Sequence, residues 1–289
     1  MAENFKIIIS GAGGFIGSAL ADYFSKKGWN VTGLVKSTPS KLIPGLKYVP
    51  FDLSRELNES IFEGADFFVH CAYVKNNIEE NISGTKRLLK ASRKYNIKKN
   101  IFLTSFSGLP DAVSNYGKQK FEIEKLFTTA KDCIVCPGVV IGHGGLFRQM
   151  SEHISKGKWI PLIGGGNQPL QPIWINDLAQ IIEKICLDDR SGRFVVADPA
   201  AIPYKEFFAA ISAKQGIRPK FISVPFFVIN ALLYVSELFG IKLPVARENM
   251  LGLKNMKVRN TVSDLDKLGV SLKSFRESLE FLDSGSEKK

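Results

Sequence analysis

Two side chains in this sequence are spaced to move a proton together. Tyr116 and Lys120 stand four residues apart in YGKQK, so on a helix they share one face. A phenol ionises at about pH 10, and a neighbouring ammonium favours the phenolate. Such a pair is a usable acid/base near neutrality. Ser105, in TSFS just upstream, places a hydroxyl in the same stretch. Y-x-x-x-K alone is common by chance, so its weight comes from its place in the chain.

That place is set by a loop a hundred residues earlier. Ile7-Ile8-Ile9-Ser10 runs into Gly11-Ala12-Gly13-Gly14-Phe15-Ile16-Gly17. The spacing is G-x-x-G-x-x-G through Gly11, Gly14 and Gly17; G-x-G-x-x-G fails at Ile16. A strand, a glycine turn and a helix in that order let backbone approach a pyrophosphate, with the N–H groups of Phe15 and Ile16 facing it. The phosphate loop G-x-x-x-x-G-K-[ST] does not occur. At the end of the second strand an acid would suit NAD and a base the 2′-phosphate of NADP. The sequence there is Leu34-Val35-Lys36-Ser37, which favours NADP, with NAD as the alternative.

The elements that must hold these groups alternate. Strands are expected at Phe5–Ile9, Asn30–Val35, Leu46–Val49, Asp66–His70, Asn100–Thr104 and Asp132–Cys136. Helices are expected at Phe15–Lys27, 78–95 and 114–130. Apolar strands alternating with helices give a parallel sheet covered on both faces. The expected fold class is α/β, a Rossmann-type doubly wound parallel sheet with a smaller C-terminal substrate-binding region. Residues 1–140 and 173–197 would form the dinucleotide-binding part. Residues 141–172 and 198–283 would form the substrate-binding part, with glycine-rich loops at 142–145 and 161–172. Helices are expected there near 176–187, 203–215, 225–239 and 273–282, with a strand at 193–196. Residues 284–289 read as a disordered tail.

Composition narrows the partners. The chain has 289 residues with 39 Lys plus Arg against 28 Asp plus Glu, a net charge of +11. The isoelectric point is about 9.4 and the mean hydropathy +0.01. These are globular values with a bias toward anionic partners: phosphorylated cofactors, nucleotide-linked substrates, nucleic acid or acidic membrane. Four cysteines exclude a disulfide-dense scaffold. The N-terminus has no secretory pattern, and no stretch of eighteen apolar residues suggests a span, so the cytoplasm is the default location. Peripheral membrane association stays open through the apolar stretch Phe221–Leu243. Seven basic residues between Lys86 and Lys99 read as a solvated helix face. Without interleaved aromatics or a nucleic-acid module, nucleic acid is not expected. Cys133 and Cys136 have C-x-x-C spacing but sit on an expected strand, where they point to opposite faces. His70, His143 and His153 lack ligand spacing, so no metal is expected. His70 reads as lining the cleft or as a satisfied buried histidine.

In order along the chain, these motifs resemble the extended short-chain dehydrogenase/reductases of the NAD-dependent epimerase/dehydratase family. SGAGGFIG is similar to the family's dinucleotide loop, and FDLS to its adenine-contacting pair, here Asp52 and Leu53. HCAY resembles its segment beside the cofactor, carrying His70 and Ala72. ENISGTKRLLKAS carries Asn81, and PGVVIGHGG, opening with Pro137, resembles the loop after the sixth strand. The resemblance implies that Tyr116 exchanges a proton with a substrate oxygen that Ser105 also binds. It implies that Lys120 lowers the Tyr116 phenol and holds the nicotinamide ribose. Asn81 would support the lysine through a water or a helix distortion. A homodimer through the helices near 78–95 and 114–130 would match the family.

The departures shape the expected reaction. Eleven positions separate Ser105 from Tyr116, Phe106-Ser107 replaces the acidic pair of dehydratases, and Cys136 stands where an arginine often precedes the proline. Arg148, Lys156 and Lys158 are the substitutes on offer for a substrate pyrophosphate. The expected function is hydride transfer at a secondary alcohol or ketone of a nucleotide sugar, by an epimerase or oxidoreductase. An apolar carbonyl substrate and a non-catalytic NADP-binding sensor are the alternatives.

Overall fold

The computed structural model describes residues 4–157, 159–238 and 252–284. Its strands begin with β1 (Lys6–Ser10), β2 (Asn30–Val35), β3 (Lys47–Pro50), β4 (Phe67–His70), β5 (Lys99–Leu103) and β6 (Cys133–Pro137). Four short strands follow, β7 (Val139–Ile141), β8 (Trp159–Ile163), β9 (Pro169–Leu170) and β10 (Pro172–Trp174). β11 (Gly192–Val196), β12 (Ile202–Pro203) and β13 (Lys220–Val224) complete the set.

Seven of these form one sheet in the order β11-β6-β5-β4-β1-β2-β3, with every pairing parallel. The chain runs outward from β1 to β3, then returns to the other side of β1 at β4. That reversal opens a crevice at the carboxyl ends of β1 and β4, where doubly wound sheets bind ligands.

Alternation along β1 shows why both faces are covered. Ile7 and Ile9 pack with Leu20, Ala21 and Phe24 of helix α1 (Phe15–Lys26). Ile8 points the other way, into a core with Phe68 and with Leu88 and Ala91 of helix α2 (Ile78–Lys94). Every residue of β4, β5 and β6 is buried. Asn77 caps α2 by accepting the Glu80 amide at 3.1 Å. Ser114 caps α3 (Asn115–Glu124) by accepting the Gly117 amide at 3.1 Å.

Beyond β6 the chain forms α4 (Gly145–Lys156), α5 (Ile175–Leu187), α6 (Tyr204–Lys214), α7 (Phe226–Leu238), α8 (Val262–Leu268) and α9 (Phe275–Ser284). The last segment is stitched back onto the sheet side. The Val195 amide donates to Asp264 at 2.9 Å. Buried Asp177 accepts from the Lys273 amide at 2.8 Å and from its Nζ at 2.9 Å.

Three expectations change. A helix, α4, begins inside the glycine segment 142–145, with extended Gly144 as its cap and Phe147 and Ile154 on its buried side. β8 lies partly within the segment read as a loop, because it pairs in parallel with β13. α3 stops at Glu124 rather than near 130, since Asp132 draws the Thr128 amide to its carboxylate at 2.8 Å and closes a turn. Cys133 and Cys136 lie on a strand, as read, and burial pushes their thiols up to about 12 and about 11. The basic run is largely partnered: Arg93 with Asp132, Lys94 with Glu59, Lys98 with Asp66 and Arg87 with the Leu53 carbonyl. The expected tail lies outside the described residues, apart from Ser284, which closes α9. Residues 239–243 of the apolar stretch also lie outside them.

Candidate active site

β5 delivers the chain to a tight turn in which the Gly108 amide donates to the Ser105 carbonyl at 2.8 Å. The Ser114 cap then starts α3 so that Tyr116 falls in its first turn. Gly117 makes the approach feasible. A β-carbon there would stand less than 3.0 Å from the Ser107 carbonyl oxygen, closer than real β-carbons come. With α3 seated this close, Tyr116 stands beside Ser105, whose hydroxyl accepts the Ser107 amide at 3.2 Å. Tyr116 is 38 % exposed, open enough to meet a ligand. The protein around its hydroxyl nevertheless pushes the phenol above its ordinary value, and the neighbouring Ser105 hydroxyl pulls the other way.

Lys120 is buried one turn further along. Its Nζ donates to the Leu103 carbonyl at 3.0 Å. It also lies 5.0 Å from the Phe102 ring, 5.1 Å from that of Tyr73 and 6.0 Å from that of Tyr116. Burial lowers its ammonium to about 8. This corrects the expected effect on Tyr116: the lysine is bonded to Leu103, and the phenol stands high rather than low.

Asn81 makes its direct bonds to groups other than Lys120. Its Nδ2 donates to the carbonyls of Val74 at 2.7 Å and Asn77 at 2.8 Å, and its Oδ1 accepts the Val74 amide at 2.8 Å. It clamps the loop after β4 and reaches α3 through Gln119 Oε1 at 3.4 Å, not through Lys120. Gln119 Oε1 also accepts the Tyr73 hydroxyl at 3.0 Å. Tyr73 packs edge-on against Tyr116 with ring centroids 5.3 Å apart. Tyr73 and Gln119 were both inside quoted motifs, but no spacing rule marks them as neighbours of the phenol.

The glycine turn sits at the end of β1, beside this cluster. Gly11 has φ +73°, and a β-carbon on it would meet the backbone of Ala72 within 3.0 Å. A β-carbon on Gly17 would meet the Gly11 carbonyl. Gly14 caps α1 in extended conformation with no side-chain hydrogen bond, so the first-turn N–H groups at Phe15 and Ile16 are left to a ligand. A cradle that only glycine permits, with uncapped donors at its rim, fits a dinucleotide pyrophosphate. The Phe15 ring is overlaid by Gly142, Gly144 and Gly145. Pro137 is buried at the end of β6.

Four residues expected at the cofactor, Lys36, Asp52, Leu53 and His70, are engaged within the protein. Lys36 is not a free cation: its Nζ pairs with Asp52 at 2.8 Å. Asp52 also accepts the Ser54 amide at 2.9 Å and hydroxyl at 2.8 Å, and these partners hold its carboxyl well below the usual range. The Leu53 side chain is core, packed with Leu88 beneath α2. His70 is fully buried and faces no cleft. Thr85 spends its proton on the Asn81 carbonyl at 2.7 Å, so it accepts from His70 Nε2 at 2.9 Å. His70 Nδ1 therefore accepts from Ser10 Oγ at 2.7 Å, and Ser10 Oγ accepts the Ala72 amide at 3.4 Å. This chain needs a neutral imidazole, and burial lowers it to about 3.

Arginines reach the site from distant sequence. Arg193 of β11 donates to Cys136 Sγ at 3.6 Å and to the Gly108 carbonyl at 3.3 Å. Arg259 donates to the Phe106 carbonyl at 2.7 Å, and its backbone is gripped by the Gln171 side chain through bonds of 2.7 and 3.0 Å. The Arg193 guanidinium, paired with Glu124 at 2.5 Å, thus lies against Cys136 although the sequence has no cation at that position. Arg148, offered earlier as a substitute, is tied to Glu152 on exposed α4 at 2.7 Å. Lys158 lies outside the described residues.

The family model for the NAD dependent epimerase/dehydratase family matches residues 7–197. Among curated proteins, Rv2047c of Mycobacterium tuberculosis is 29% identical over 102 residues, 35% of this chain. The chain spans about 12% of the length of that relative. Among solved structures, epimerase Mth375 of Methanothermobacter thermautotrophicus superposes with a TM-score of 0.79 at 14% identity, over 98% of this chain and 92% of its own. UDP-glucose 4-epimerase of Thermotoga maritima gives 0.74 at 17%, covering 97% and 98%. MoeE5, solved with UDP-glucose and NAD, gives 0.74 at 18%, covering 96% and 97%. At these identities the likeness is one of fold.

Proposed function

The chain belongs to the NAD dependent epimerase/dehydratase family of enzymes, and on that footing we propose that it transfers hydride at a secondary alcohol or ketone of a nucleotide-linked sugar, as an epimerase or oxidoreductase. The observation that carries this reading is the placing of Tyr116 beside Ser105, next to the glycine cradle at the carboxyl edge of the sheet. Two of the structural neighbours were solved with UDP-glucose, which supports a nucleotide-linked substrate.

Gly11, Gly14 and Gly17 would hold the dinucleotide's pyrophosphate against the first turn of α1. The nicotinamide supplies hydride acceptance and return when bound. Ser105 and Tyr116 would grip the substrate oxygen together. With its phenol pushed up, Tyr116 is poised to give a proton to a carbonyl oxygen. Taking a proton from a hydroxyl requires the phenolate, which the neighbouring Ser105 hydroxyl favours. Lys36 would contact a 2′-phosphate, which is the ground for NADP over NAD. For that it must exchange its bond to Asp52.

A thermal-shift matrix tests this reading. NADP⁺ or NAD⁺ is combined with UDP, dTDP, GDP or no nucleotide. A ligand that binds only the folded state raises the midpoint. A cofactor shift with a further shift from one nucleotide diphosphate is expected. A cofactor shift that no nucleotide extends would remove the sugar-nucleotide part of the proposal.

A further inference from the structure

α7 is apolar around most of its circumference, with Asn230 the one strongly polar residue between Phe226 and Val235. A helix of that composition is normally enclosed. Among its described side chains only one side is. Phe226 and Ile229 pack with Ile163 and Leu253. Phe227 is 75% exposed, Tyr234 61% and Leu232 54%. Phe227, Asn230, Ala231 and Tyr234 recur at helical spacing and line an open depression of about 270 Å³. The strand that feeds α7 continues the exposure. Lys220 and Ile222 of β13 lie in register with Trp159 and Pro161 of β8, and these four residues are exposed.

Positive charge borders the apolar surface. Lys220 Nζ lies 5.1 Å from the centre of the Trp159 ring, and Lys254 Nζ lies 5.9 Å from that of Phe226. Between Arg218 and Tyr234 the sequence has no acidic residue. We propose that this face docks on a bilayer carrying anionic headgroups. The aromatic and aliphatic side chains would enter the acyl boundary while the lysines meet lipid phosphates. A second copy of this chain fits less well, because a twofold contact sets a patch and its cations against themselves. Among the described residues no helix is long and apolar enough to cross a membrane, so this docking is peripheral. It is independent of the substrate reading.

Flotation of the full chain with vesicles tests it, using phosphatidylcholine alone or mixed with phosphatidylserine. Binding to the mixed vesicles, weakened by added salt, is expected. Lys220→Gln with Lys254→Gln should lower partitioning about 25-fold, at roughly fivefold per cation. Phe227→Ser with Leu232→Ser should lower it at least about tenfold with circular dichroism and melting midpoint unchanged. Wild-type protein that stays soluble beside the mixed vesicles overturns the proposal. So do variants that bind as the wild type does. A concentration-dependent dimer abolished by Phe227→Ser, with vesicles ignored, would also overturn it and assign the face to a second copy.

Discussion

The Ser107 carbonyl occupies the space that a β-carbon on Gly117 would need. Through that contact the first turn of α3 is seated on the turn after β5, which brings Tyr116 to Ser105. Gly117→Ala should push α3 outward and move Tyr116 away from Ser105. Displacements of this size cost roughly 100-fold in rate. Turnover should fall by about that factor, while the NADP⁺-induced thermal shift stays near wild type. A rate within twofold of wild type would mean that the turn accommodates the methyl group and does not set the phenol's position.

Tyr116→Phe keeps the ring and its packing against Tyr73 but removes the proton. A loss of about 100-fold or more in turnover is expected, with cofactor binding retained. Stopped-flow reduction of the bound cofactor measures the chemical step directly. Undiminished reduction would take the acid/base role away from this residue.

The buried histidine makes stability depend on pH. His70 is lowered to about 3 in the folded chain, from an ordinary 6.5. The unfolded chain therefore takes up a proton that the native fold refuses. The stabilisation is complete above about 6.5 and is lost progressively as pH falls toward 3. Urea unfolding at pH 7 and pH 4 should show a drop that is smaller in His70→Asn, which is itself less stable at pH 7. An identical drop in both proteins would show that His70 does not govern the acid response.

Lys36 and Asp52 compete with any phosphate offered to the lysine. Asp52→Asn removes the stronger hold on Lys36 and should tighten NADP⁺ several-fold while leaving NAD⁺ nearly unchanged. Lys36→Ala should weaken NADP⁺ by roughly tenfold, the loss of one charge-assisted hydrogen bond. Fluorescence titration of both cofactors separates these outcomes. Equal effects on the two cofactors would place the 2′-position elsewhere.

The sheet was legible because its strands are nearly unbroken apolar runs, and β2 spans the same Asn30–Val35 in sequence and in structure. The proposed Ser105, Tyr116 and Lys120 set was legible as a group because the three lie within one turn-and-helix unit. What stayed hidden depends on pairing between distant segments. Trp159–Ile163 becomes a strand only because Lys220–Val224 lies beside it. Arg193 reaches Cys136 only through the register of β11 on β6. His70 was legible as either a cleft residue or a satisfied buried histidine, and only its distant partners decide for the second. It ends a buried strand as expected, but Ser10 and Thr85 claim both of its nitrogens.

Arg259 bonds the carbonyl of Phe106 from 153 residues further along, and Gln171 grips it across 88. A ribosome delivers this chain from its amino end. The glycine cradle and the Ser105–Tyr116 turn emerge early, while the guanidinium that ties down the carbonyl after Ser105 emerges late. A nascent chain halted before Arg259 therefore has Ser105 and Tyr116 without that brace, and the turn between them gains it only when the segment carrying Arg259 has been made.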